Sequence, residues 1–222
     1  MKISLLMCIC MLICLVPANA NLILNGDFEA PLVGAGSLTT FAPGPAGPIP
    51  DWAVVGAAGT QVAITSGTYT KECCVFAAQS LNQWLDLTGL ASNQFEGVEQ
   101  TIAAAGTYDL SFWVGNAFDL GGVFGTTSTV QVRVGGIAGT LVGNFTNSST
   151  TPGVLTWELF TTTFTTTGAT TLDFLNLDPA TDNSNGLDDI ILTTAAIPEP
   201  GTLSLFGMGI IGLGLIRRLV TR

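Results

Sequence analysis

Apolar and polar residues alternate with period two through much of this chain. In Tyr108-Asp109-Leu110-Ser111-Phe112-Trp113-Val114, Asp109 and Ser111 interrupt an otherwise apolar run. In Thr129-Val130-Gln131-Val132-Arg133-Val134 three valines fall on one face. Thr171-Leu172-Asp173-Phe174 alternates in the same way, and Leu187 to Leu192 is a final apolar strand. Such patterning gives a strand one face for a core and one for solvent. No convincing amphipathic helix interrupts it. Gly106, Gly121-Gly122, Gly135-Gly136, Pro152-Gly153, Gly168 and Gly186 supply turn chemistry between the strands. Many short strands at this spacing predict an all-β sandwich or barrel. Two stretches read differently. Pro43 to Pro50 is too proline-rich for a central strand and reads as a surface loop leading into Asp51-Trp52. Thr161 to Thr167 reads as an outer strand with solvated hydroxyls around Phe164.

Charge narrows the partners. The net charge is −10, with 6 basic and 16 acidic residues. Lys2, Arg217, Arg218 and Arg222 sit near the chain ends, so the body keeps only Lys71 and Arg133 against every acidic residue but Glu199. Gripping phosphates requires a basic stripe, and the body has none, which argues against nucleic acid as a partner. The chain contains no His. Ser-His-Asp and Cys-His catalysis are thereby excluded, as are zinc sites that use imidazole. Carboxylate chemistry remains open.

The two ends carry targeting patterns. Lys2, an apolar run from Ile3 to Val16 and the small-residue box Ala18-Asn19-Ala20 make residues 1–20 a secretory signal peptide, leaving Asn21 as the mature start. Cleavage there removes Cys8, Cys10 and Cys14 and leaves the adjacent pair Cys73-Cys74. Two neighbouring cysteines close a ring only with strain. The expectation is therefore two thiols, free or paired between molecules, at a strand start; a vicinal disulfide in an oxidising compartment is the alternative. At the other end, Pro198-Glu199-Pro200 precedes an uncharged apolar run from Thr202 to Ile216 and then Arg217-Arg218. At 1.5 Å per residue that run spans roughly 22 Å as a helix, short of a ~30 Å hydrocarbon core unless the bilayer thins locally. The arginines behind it place the body outside the membrane.

This order of Pro-Glu-Pro, short apolar helix and arginine cluster resembles the PEP-CTERM sorting signal of Gram-negative bacteria. The resemblance implies recognition of residues 197–222 by an exosortase, a transmembrane helix as membrane anchor, and residence in the cell envelope, on the cell surface or in an extracellular matrix with exopolysaccharide and biofilm. Residues 21–196 carry a second resemblance. The start Asn21-Leu22-Ile23-Leu24-Asn25-Gly26-Asp27-Phe28-Glu29 looks like the opening strand of galactose-binding-like jelly rolls. Ile49-Pro50-Asp51-Trp52 resembles their Ile-Pro-Gly-Trp turn, with Asp51 in place of glycine. Val98 to Ile102 followed by Gly106 to Phe112, Trp157 to Phe164, and Gly186-Leu187-Asp188-Asp189-Ile190 continue the pattern. Together these marks resemble the bacterial choice-of-anchor family. They imply a jelly-roll β-sandwich of eight to ten strands with non-catalytic binding, most often of carbohydrate.

The same resemblance implies a structural calcium between Glu29 and Asp188 or Asp189, since calcium takes several hard oxygen ligands. The simpler reading is that Asp188, Asp189, Asp178 and Asp182 solvate an edge strand and its loop. Among the tryptophans, Trp113 and Trp84 are the candidates to stack on a sugar, because Trp113 follows Ser111 on the polar side of its strand and Trp84 lies between Asn82-Gln83 and Asp86. Trp52 and Trp157 are assigned to packing, which is also the common role of any large aromatic. A carboxylate-dependent glycan hydrolase would draw on a pair from Glu96, Glu99, Asp109 and Asp119. The functional expectation is thus a sorted surface protein that binds extracellular polysaccharide or builds matrix. A glycan hydrolase and a self-associating adhesin are the rivals.

Overall fold

The computed structural model describes residues 20–92 and 95–195. In chain order the strands are β1 (Leu38–Phe41), β2 (Gly44–Ile49), β3 (Trp52–Val55), β4 (Val62–Ser66), β5 (Tyr69–Lys71), β6 (Cys74–Phe76), β7 (Gln83–Asp86), β8 (Gly97–Ile102), β9 (Gly106–Asn116), β10 (Ser128–Val134), β11 (Thr140–Asn147), β12 (Thr156–Thr166), β13 (Thr170–Asn176) and β14 (Asn185–Thr194). The first sheet runs β1-β4-β7-β14-β9-β12 and the second β11-β10-β13-β8-β3-β2. A separate hairpin, β5–β6, leaves the first sheet between β4 and β7. From β7 to β14 successive strands alternate between the sheets, apart from the β10–β11 hairpin. That winding makes a jelly-roll sandwich. Among the described residues there is no helix, and none long and apolar enough to cross a membrane.

The strand periodicity decides which side chains meet between the sheets. In β9, Tyr108, Leu110, Phe112 and Val114 are buried in the main core, while Asp109, Ser111 and Trp113 alternate onto the outer face. Val130, Val132, Leu172, Phe174 and Val98 answer from the second sheet. Rings then meet across the gap. Phe112 packs edge-on against Phe174 at 5.3 Å and Phe145 at 5.1 Å, and Phe174 against Trp52 at 6.1 Å. Trp52 stands 5.4 Å from Phe28 and donates its indole N–H to the Asn25 carbonyl at 3.0 Å, so the N-terminal segment is drawn into the core. Trp52 is core packing, as expected.

One end of the sandwich is closed by buried amides. Asn147 Nδ2 donates to the Val114 and Thr156 carbonyls at 2.8 and 2.9 Å, and Asn185 Nδ2 to the Thr129 carbonyl at 2.7 Å and to Asn176 Oδ1 at 2.8 Å. Asn116 Nδ2 holds the Ser149 and Thr126 carbonyls. These bonds satisfy strand and loop carbonyls at that end of the sandwich.

Three expectations need correction. The count of eight to ten strands is low: the sheets hold six each, because short edge strands are added at β1 and β2. The stretch Pro43 to Pro50, expected as a loop, contains β2. β2 pairs with β3 only at Gly44↔Val54 and Ile49↔Trp52, which an edge strand tolerates where prolines lack an N–H. Residues 21–29 are not an opening strand. Asn25 and Phe28 have φ of 50° and 52°, and those left-handed residues turn the chain instead of extending it. The Pro50-Asp51 turn does occur, and Asp51 at φ 68° occupies the conformation that favours the glycine of the resembled pattern. The threonine-rich stretch is β12, an edge strand whose Thr161, Thr163 and Thr165 are exposed.

Phe112 touches three other rings in this core. Phe112→Ala is expected to lower unfolding stability by about 4 kcal/mol, read from denaturant midpoints. A loss below 1 kcal/mol would mean the ring row does not hold the sheets together.

Candidate functional site: the outer face of the first sheet

The outer face of the first sheet brings together residues far apart in the chain. β4–β7 pairing sets Thr65 against Trp84, β14–β9 pairing sets Asp188 against Trp113, and β9–β12 pairing sets Trp113 against Leu159. The β7–β14 register, which pairs Leu85 with Leu187, puts Trp84 beside Asp188. Thr65, Trp84, Asp188, Trp113 and Leu159 therefore form one cross-strand row. In the adjoining row Gly115 faces Gly186. With no Cβ on either strand, the Trp157 indole settles onto this pair: a Cβ built at either position would stand 2.9 Å from its ring.

Residues 67–82 fold over half of this face, and two carboxylates fasten them. Asp188 Oδ2 accepts the backbone N–H groups of Gln79 and Ser80 at 3.1 and 3.0 Å, and its Oδ1 accepts that of Asp189 at 2.8 Å. Glu29 Oε1 accepts the N–H groups of Asn82 and Gln83 at 2.7 and 2.9 Å. Burial pushes the Asp188 carboxyl up to about 7, against the lowering pull of its N–H donors.

Beneath the covering segment lies a second hydrophobic cluster of Cys74, Phe76, Trp84, Ala117, Phe124 and Leu155, with Tyr69 and Trp157 against it. Trp84 is buried, stacks on Phe76 at 6.1 Å and donates its N–H to the Phe76 carbonyl at 3.2 Å. Trp157 meets Trp84 edge-on at 5.8 Å and donates to the Ala77 carbonyl at 2.9 Å. At the hairpin tip Cys73 and Cys74 are disulfide-bonded to each other, which corrects the expectation of two thiols. The hairpin turn at Glu72, with φ 51°, and the pairing of Lys71 with Cys74 hold the two residues together at the tip, where export provides the oxidising surroundings. β6 is tied down in turn by Val75 N–H to the Gly153 carbonyl and Leu155 N–H to the Val75 carbonyl. Between this hairpin and residues 123–124 a pocket of about 150 Å³ remains.

The site residues expected from sequence separate into two groups. Trp113 is half-buried on the uncovered part of the face, beside Leu159, Ser111 and Thr161. Trp84 lies under the covering segment, buried, and lines the pocket there. Glu29 and Asp188 do approach one segment, but as acceptors of backbone N–H groups. Asp189 sits at the β-bulge with φ 48°. No group of three or more His, Cys, Asp or Glu able to hold a metal exists among the described residues. A cation between Glu29 and Asp188 would have to compete with those N–H donors. The hydrolase candidates are dispersed. Asp109 accepts from Thr163 Oγ1 at 2.8 Å on the first sheet, Asp119 from Val123 N–H at 3.0 Å in a loop, and Glu96 is buried. Glu99 lies cross-strand from Asp173 on the second sheet. Burial, followed by the hydrogen bond and repulsion from Asp173, raises Glu99 to about 7. Two carboxyls that close leave no room for a sugar between them. Thr65, Asp86, Tyr69 and Asn183, which line the pocket, escape sequence reading because only strand pairing brings them together. Pro198, Glu199, Pro200, Arg217 and Arg218, like the leader up to residue 19, lie outside the described residues.

The raised carboxyls fix a pH dependence. Burial chiefly raises Asp86 to about 6 and Asp178 to about 8, alongside Asp188 and Glu99 at about 7. The unfolded chain releases these protons near 4. The folded state thus binds more protons from roughly pH 4 to pH 8, and stability falls as pH rises through that window. Thermal melts should give a higher Tm at pH 5 than at pH 8.5; the reverse order would show that these groups are not buried as described. A chelator should leave Tm unchanged at either pH, and a fall would restore the calcium expectation.

Residues 196–218 match the PEP-CTERM protein-sorting motif. Among curated proteins none matches the chain. Solved structures do. TmCBM61 in complex with β-1,4-galactotriose aligns at 16% identity over 79% of this chain and 99% of its own, with a TM-score of 0.41. A family 35 carbohydrate binding module from Clostridium thermocellum aligns at 13% identity over 72% and 99%, with a TM-score of 0.43. Arabinose-bound MgGH51 α-L-arabinofuranosidase aligns at 13% identity over 81% of this chain and 27% of its own, with a TM-score of 0.47. The sorting motif marks the chain as an exported cell-surface protein of the Gram-negative type, its described body a jelly-roll sandwich.

Proposed function

We propose that the sandwich is a non-catalytic module that holds neutral extracellular polysaccharide at the cell envelope, after sorting of its tail by an exosortase. The supporting observation is Trp113. An indole half-exposed on the outer sheet face, with Ser111 and Thr161 hydroxyls beside it, offers an apolar face and hydrogen-bonding groups together. A sugar ring has the same two kinds of surface, and aromatic side chains carry much of the contact energy at such sites. The acidic body argues for a neutral glycan, because an anionic polymer would be repelled. The cross-strand pair Glu99–Asp173 lies on the opposite sheet, away from this face.

A glycan array probed with the full chain in detergent tests the reading. Binding to a neutral polysaccharide is expected, little changed between 50 and 500 mM salt. Trp113→Ala should weaken it by about tenfold, roughly the 1.4 kcal/mol of a single aromatic contact, with Tm nearly constant. A blank array from folded protein would leave a matrix-structural role, and a concentration-dependent oligomer in that case would favour the adhesin. Turnover of a polysaccharide, lost on a single Glu→Gln change, would establish the hydrolase instead.

A further inference from the structure

The pocket between the β5–β6 hairpin and residues 123–124 opens on the same sheet face but is not part of the Trp113 platform. Its walls are aromatic, from Tyr69, Phe76, Trp84 and Phe124. Thr65 and Asp86, on neighbouring strands, bring polar groups to it. Thr65 is only 1% exposed, and its hydroxyl has no hydrogen-bond partner. Buried polar atoms are nearly always satisfied, and leaving one unpaired is costly. Packing alone would be served better by valine, which has the same shape. A hydroxyl retained there, in the wall of a recess, points to an incoming partner. Asp86 is held in place by Thr88 N–H at 2.9 Å, Thr88 Oγ1 at 2.7 Å and Asn185 N–H at 3.3 Å, all on Oδ1. Lys71, one of the two basic residues of the body, stands at the rim.

The volume decides how much can enter. About 150 Å³ is the space that takes one six-membered ring. Four aromatic walls suit the C–H faces of such a ring, and the Thr65 hydroxyl and Asp86 carboxylate suit its hydroxyl edge. A pure hydrocarbon would leave the Thr65 hydroxyl unpaired. We propose that this pocket binds a single neutral pyranose residue, a free monosaccharide or the end of a chain, with one sugar hydroxyl bonded to Thr65 Oγ1. This rests on the glycan reading and adds to it a second, end-on subsite distinct from the Trp113 platform.

Saturation-transfer NMR on the full chain in detergent, with free D-glucose, D-galactose and D-mannose as probes, tests it. At least one hexose should bind in the millimolar range. Thr65→Val should weaken that binding at least tenfold while leaving the sugar-free Tm equal or higher, because an unpaired hydroxyl is removed. Thr65→Ser, which keeps the hydroxyl, should retain binding. Polysaccharide binding through Trp113 should persist in Thr65→Val. The proposal is overturned if no hexose shows transfer, or if Thr65→Val binds as the unaltered chain does, the hydroxyl then holding water only. Failure of the glycan reading is separable: the unaltered chain would bind no polysaccharide on the array.

Discussion

Everything on the surface of this protein depends on the aromatic row between its sheets. Phe28, Trp52, Phe174, Phe112, Phe145 and Phe160 follow one another from the N-terminal segment to the far edge of the sandwich. Edge-to-face contacts of this kind add to the energy of burying large rings and also fix their mutual orientation. The row locks β9 against β13, and β9 carries Trp113 on its other side. The packed inner face thus gives the outer face its register.

The outer face is in turn divided by a second, smaller cluster. Ordinary sandwiches leave such a face in water. Here residues 67–82 cover half of it, and the cover is secured by Asp188 and Glu29 accepting four backbone N–H bonds within residues 79–83. The two carboxylates act as fasteners, each gathering two backbone donors of the cover onto one oxygen. Gly115 and Gly186 matter for the complementary reason. Only a strand pair without Cβ atoms lets Trp157 lie flat and support Trp84 from the side. The pocket beside Trp84 is what this partial cover leaves open, and the Cys73–Cys74 ring sits at the tip of the hairpin that bounds it.

Several elements were legible in the sequence because they are local. Period-two alternation located β9, β10, β13 and β14, and the threonine-rich run was correctly placed on an outer strand. The Pro-Glu-Pro, apolar run and arginines needed no fold at all to be recognised. Expectations failed where conformation depended on distant partners. Residues 21–29 look extended, yet Asn25 and Phe28 turn because Trp52 and the core take up Phe28. The proline-rich segment became an edge strand because β3 lay beside it. The disulfide formed where a hairpin turn held the cysteines, a turn the sequence did not announce.

The sequence by itself determined that the chain is an exported, tail-sorted protein with an all-β body, because targeting signals and strand periodicity are written in consecutive residues. Only the tertiary structure decided what the acidic and aromatic residues do. Asp188 and Glu29 could have been metal ligands or solvated charges on sequence grounds, and became fasteners once residues 79–83 were laid across them. Trp84 and Trp113 look alike along the chain, and one is buried while the other is half open because the cover reaches only one of them. Pairing between strands far apart in sequence made those decisions, and no local pattern encodes it.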